Sequence, residues 1–132
     1  MKRIYISGNP LLKEDSMPFK IVPRLRKKFP SVEFLELEPT DNLPEERHLK
    51  ILDTVIGIDS VQVIRDIDKI VTGKVYSLHD FDLGFNLKLM KKAGKLRSVN
   101  IIGIPPHLKE EHALDQVEKT IQSLLRVNPV RQ

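Results

Sequence analysis

Thr54-Val55-Ile56-Gly57-Ile58 is an almost continuous apolar run that stops abruptly at Asp59. Such a run marks a strand buried on both faces, as in a parallel sheet covered by helices. A second one, Ser98 to Ile104, carries Val99, Ile101, Ile102 and Ile104 and is closed by Pro105-Pro106. Outward from these two, strand and helix patterns alternate. Arg3 to Ser7 reads as a short strand ending in the turn Gly8-Asn9-Pro10. Met17, Ile21, Leu25 and Phe29, with Val22 beside them, then give a helix that Ser16 can cap and whose first turn tolerates Pro18. Pro23 predicts a kink or an irregular turn in it, because an interior proline removes a backbone hydrogen bond.

Val32 to Leu37 reads as a second strand, and Pro44 to Leu52 as a short helix opened by its proline. Val61 to Ile64 and Gly73 to Tyr76 read as shorter strands or edge elements. Asp82 to Ala93 forms a helix with Leu83, Leu87 and Met90 inward and Gly94 at its end. Leu114, Val117, Ile121, Leu124 and Leu125 make the apolar stripe of a last helix. The order predicts an α/β fold over one domain, residues 1–132. Its architecture is a three-layer sandwich, a mostly parallel twisted sheet with helices on both faces.

The composition of the 132-residue chain, 40% hydrophobic and 30% charged, is that of a globular protein. No run of roughly 18 apolar residues is present, so no membrane-spanning helix is expected. The apolar stretch after Met1-Lys2-Arg3 is too short for a secretory signal. Without cysteine there are no disulfides, thiolate metal sites or cysteine nucleophiles. A cytoplasmic location is expected. The net charge of +4 comes mainly from Arg24 to Lys28 and from Lys88, Lys91, Lys92, Lys95 and Arg97, both read as solvated helix faces or ends. Aromatic residues, 5% of the chain, do not interleave with these cations, so no nucleic-acid partner is expected.

In open α/β sheets, sites form beyond the carboxyl ends of the strands. That rule selects Glu14 and Asp15 after the first strand, Asp59 after the Thr54 strand, His79 and Asp80 before the Asp82 helix, and His107 after the last strand. Plain structural roles compete for each. Asp15 precedes a helix, where an acid suits the macrodipole. Asp59 can cap a turn, although a carboxylate ending a buried strand is expensive unless it is paired or at a site. A lone histidine such as His79 more often bonds a backbone carbonyl than a metal. His107 and His112, spaced five apart, do not stack on one helical face and read as solvated surface. Dinucleotide and P-loop glycines are missing, and no serine sits in a Gly-x-Ser-x-Gly elbow. Two acids and one histidine on separate strand-end loops suit water activation or facial coordination of a divalent ion.

Gly8-Asn9-Pro10-Leu11-Leu12-Lys13-Glu14-Asp15, Gly57-Ile58-Asp59-Ser60-Val61, Ser77-Leu78-His79 and Ile101 to Pro106, taken in order, resemble segments of the hydrogenase maturation endopeptidases. The first is similar to that family's opening, Gly-Asn-x-Leu-x-x-Asp-Asp/Glu. Gly57-Ile58-Asp59-Ser60-Val61 looks like its Val-Asp-Ala segment, and Ser77-Leu78-His79 like the segment bearing its histidine. Ile101 to Pro106 resembles its Gly-Ile-x-Pro strand end. The family's Gly-x-Gly is replaced by Ser16-Met17-Pro18. The resemblance implies the same α/β sandwich and a peptidase that removes a C-terminal peptide from the large-subunit precursor of a nickel-iron hydrogenase. It implies nickel carried by that substrate, contacted by Asp15, Asp59 and His79, with Asp15 and Asp59 as the catalytic acids. The alternative is a non-catalytic module of the same fold that docks a metalloprotein as an assembly chaperone.

Overall fold

The computed structural model describes residues 2–37, 43–78 and 82–130. Its elements in order are β1 (Lys2–Ile6), α1 (Met17–Lys28), β2 (Val32–Glu36), β3 (His48–Ile56), β4 (Gln62–Ile64), α2 (Ile67–Val71), β5 (Tyr76–Ser77), α3 (Leu83–Lys92), β6 (Ser98–Ile104) and α4 (Glu110–Leu125). The strand order is β2-β1-β3-β6-β4, with β5 pairing antiparallel to the end of β3. β1 pairs in parallel with β2 and β3, and β3 in parallel with β6; among the described strands, β4 and β5 run the other way. The expected mostly parallel sheet between helices is what the chain forms.

Strand alternation divides the core in two. Ile4, Ile6, Leu52, Ile102 and Ile104 face α1 and α4, against Ile21, Leu25, Val117 and Ile121. Leu49, Ile51, Val55, Val99 and Ile101 face the other way, against Ile67 of α2 and Leu83 and Leu87 of α3. β3 feeds both halves because β1 and β6 cover its two edges and helices cover its two faces.

The short helix expected over Pro44 to Leu52 does not form. Residues 48 to 52 are the first half of β3, with His48 to Thr54 in register with Ser98 to Ile104. A nine-residue helix is marginal without packing. A central strand gains ladder hydrogen bonds on both sides and buries Leu49, Ile51 and Leu52 completely, so tertiary pairing overrides the proline signal. β3 therefore begins earlier than the Thr54 to Ile58 run suggests, and it also ends earlier. Gly57 has φ +105°, and a Cβ there would lie 2.5 Å from the Lys74 carbonyl oxygen, so the chain turns at that glycine. Ile58 and Asp59 lie beyond the strand.

Pro23 is accommodated within α1 because it faces solvent, where water can satisfy the carbonyl it leaves unpaired. The irregularity falls in the first turn, where the Ser16 carbonyl accepts both the Phe19 and the Lys20 N–H groups. α2 was not read from the sequence; at five residues it is too short for a periodic signal, and Asp66 caps it by accepting the Asp68 N–H at 3.0 Å. Among the described residues no helix is long and apolar enough to cross a membrane.

Ile51→Ala, emptying a fully buried position of the central strand, is expected to cost about 3 kcal/mol in urea unfolding. Leu89→Ala, on the exposed face of α3, should change stability by less than about 0.5 kcal/mol.

Candidate active site

The chain leaves β1 through Ser7 and Gly8 and folds back on itself. Gly8 has φ +148°, and a Cβ there would lie 2.7 Å from the Asp15 carbonyl oxygen, so only glycine lets the loop close this tightly. Asn9 shapes the turn by accepting the Leu11 N–H on its side-chain oxygen at 2.9 Å. A 3-10 turn, Lys13–Asp15, then tucks Asp15 inward, where its Oδ2 accepts the Asn9 N–H at 2.8 Å. Asp15 ends 1% exposed, whereas its neighbour Glu14 faces solvent. The macrodipole role considered for Asp15 does not account for this burial.

The residue brought to Asp15 is Asp53, which sequence reading missed. It lies in the carboxyl-terminal half of β3, is wholly buried, and has Ser7 of the β1 end and Ser77 of β5 as small polar neighbours. Gly103 stands beside it on β6. Burial pushes the Asp53 carboxyl up to about 8. The negative charge of Asp15 adds to the rise, while the Ser77 and Ser7 hydroxyls and the Thr54 N–H oppose it without cancelling it. Neither Asp53 oxygen accepts a hydrogen bond of good geometry among the described residues, and the Thr54 hydroxyl is equally buried without one. At neutral pH the fold therefore holds a protonated carboxyl next to Asp15. Such a pair can give a proton from one member and polarise a water with the other.

Asp59 is exposed on the bend after β3, three residues beyond Ile56. The expense argued for an acid ending a buried strand falls on Asp53 instead. The signal was present, since Asp53 interrupts the apolar run Ile51 to Ile58. It was hidden because the preceding residues read as helix. His79 and Asp80 lie outside the described residues. His107 and His112 are exposed, as expected for the polar stretch they share with Glu110 and Glu111. No three His, Asp or Glu side chains among the described residues gather closely enough to hold a metal by themselves. Asp15 and Asp53 would supply two oxygen donors, and a third ligand would have to come from elsewhere.

Where β5 returns onto the end of β3, Ile56, Ile70, Gly73, Tyr76 and Leu78 line a mainly apolar cavity of about 500 Å³. Leu11 and Leu12 are exposed on the loop that leads from β1 to Asp15.

No protein-family model matches the chain, and no curated protein matches it in sequence. The solution structure of an endopeptidase from Escherichia coli is similar to it in fold, with a TM-score of 0.62 at 20% identity. The match covers 98% of this chain and 97% of that one. At that identity the two share an architecture over essentially their whole lengths.

Asp53 is protonated in the folded state up to about pH 8 but only to about pH 4 when unfolded, so its contribution to stability is lost as pH rises through that window. Asp53→Asn should match the parent in urea unfolding near pH 4 and exceed it by about 2–4 kcal/mol at pH 8. A constant difference at both pH values would show that Asp53 does not titrate in this window.

Proposed function

We propose that this protein is an endopeptidase that removes a C-terminal peptide from the nickel-loaded large-subunit precursor of a nickel-iron hydrogenase. The observation that carries the reading is the pairing of Asp15 with Asp53 at the carboxyl ends of adjacent parallel strands, one of them holding its proton to about pH 8. Two further facts support it. The chain shares its fold with an endopeptidase over nearly all of both chains, and four segments resemble the hydrogenase maturation enzymes in order.

In this reading Asp53 takes the part first given to Asp59. Asp15 polarises the attacking water, and the Asp53 carboxyl gives its proton to the departing amine. His79 remains the proposed third contact to the nickel that the substrate brings. Both acids are buried in the free protein, so the loop carrying Leu11 and Leu12 must move aside when substrate arrives.

That burial also favours a second reading, a docking module of the same fold that binds the precursor without cutting it. Ser16 and Pro18 open α1 where the resembling enzymes have glycines.

The deciding experiment is incubation with a nickel-loaded precursor, followed by mass spectrometry of its C-terminus. The wild type should remove a peptide, Asp15→Asn and Asp53→Asn should slow removal by about 100-fold or more, and Asp59→Asn should leave most of it. Loss in Asp59→Asn with retention in Asp53→Asn would return the role to Asp59. A bound but uncut precursor would establish the docking module.

A further inference from the structure

β4 ends the sheet. It pairs with β6 on one side, and among the described residues no strand pairs with its other side. A free strand edge offers backbone donors and acceptors to another extended chain. Natural edges are often guarded by charge, and this one has an unusual distribution of it.

On the α4 side, Val63, Arg65, Lys119, Thr120, Ser123 and Arg126 line a cavity of about 520 Å³. On the α3 side, Arg65, Asp66, Asp68, Lys88, Lys91 and Lys92 line one of about 350 Å³. Arg65, the residue just past β4, lines both. Lys119 is paired with Asp115 and Lys88 with Asp68. Arg65, Arg126, Lys91 and Lys92 form no ion pair with any described residue and are exposed. Four uncompensated cations thus flank one free strand edge, in a chain whose whole net charge is +4.

We propose that the β4 edge docks an extended acidic segment of a partner protein, which adds to the sheet as a further strand. Side chains of an added strand alternate between the two faces, so successive residues would enter the α4-side and α3-side cavities in turn. Both cavities are lined by cations, and the segment that fits carries acidic residues at adjacent positions. β4 is only three residues long and supplies few backbone bonds, so charge must supply much of the attraction. A second copy of this chain is disfavoured, since edge-to-edge pairing would set Arg65 and Arg126 against their own counterparts. RNA is disfavoured because no aromatic side chain lines either cavity. The surface is separate from the acid pair: Gln62 lies level with Gly103 and Asp53 across the sheet, two strand spacings or roughly 10 Å from Asp53. The inference does not require the peptidase reading.

The probe is a fluorescein-labelled dodecapeptide repeating Asp-Glu-Thr-Val, measured by fluorescence anisotropy against the full chain. A peptide with lysine for both acids and a single-stranded dodecauridylate serve as competitors. Binding of the acidic peptide is expected, with Arg65→Glu weakening it by about tenfold or more and Arg126→Glu and Lys91→Glu weakening it less. Lys20→Glu, an equal charge reversal on α1 outside both cavities, should leave it unchanged. Hydrogen exchange should show the Gln62 to Arg65 amides gaining protection in the complex. Absence of binding, equal loss in Arg65→Glu and Lys20→Glu, protection away from β4, or tighter binding of the oligonucleotide would each overturn the proposal.

Discussion

A carboxyl group in the middle of a covered parallel sheet must keep its proton or find a compensating partner, because an uncompensated buried charge costs several kcal/mol. Asp53 meets this constraint by keeping its proton. Its surroundings follow from that choice. Ser7, Ser77 and Gly103 beside it are small, and among the described residues no cation is a leading influence on its carboxyl. Asp15 lies close enough to push its acidity down further. A fold selected only for stability would place an aliphatic side chain at this position of β3, as it does at Ile51 and Val55. The expense is spent at the carboxyl end of the strands, where open α/β folds place their chemistry.

The rest of the molecule can be read as the frame for that strand. β1 and β6 protect its edges, α1 and α4 close one face, and α2 and α3 close the other. The hairpin-like return of β5 onto β3 places Ser77 near the carboxyl, and the Leu78 N–H on the Thr54 carbonyl, at 2.9 Å, ties that return down. On the other side, the Ser7 N–H on the Leu52 carbonyl at 2.8 Å holds the start of the Asp15 loop against β3. Two loops from opposite sides thus converge on one side chain, and each is fixed by a backbone bond to a residue next to Asp53.

The two ends of the sheet differ in character. At β2, the Arg26 guanidinium donates to the Phe34 carbonyl at 3.1 Å, satisfying one backbone acceptor from within the chain. At β4, Arg65, Arg126, Lys91 and Lys92 stand around the edge without an ion pair to any described residue, which suits an incoming chain better than it suits self-protection. Clusters read from the sequence as solvated helix faces are therefore of two kinds. Arg24 and Lys28 are neutralised by Glu111 and Glu118 of α4, at 2.6 and 2.7 Å. Lys91 and Lys92 form no ion pair with any described residue, and only the fold brings them beside Arg65.

The apolar runs and their 3.6- and 2-residue periods determined the α/β class, the parallel centre of the sheet, and the positions of α1, α3, β6 and α4. They could do so because burial on both faces demands unbroken hydrophobicity and burial on one face demands a stripe. The turn chemistry of Gly8-Asn9-Pro10 likewise marked the loop that carries Asp15. The limits of β3 were beyond local reading. Pro44 argues for a helix start within its own window, and only the pairing of His48 to Thr54 with β6 reverses that. The buried acid depends on the same limits: with β3 running from His48 to Ile56, Asp53 lies inside the strand and Asp59 on the bend beyond it. Which side chains meet across strands, how strongly burial shifts a carboxyl, and which cations find partners are properties of residues far apart in sequence. Tertiary structure alone decided them.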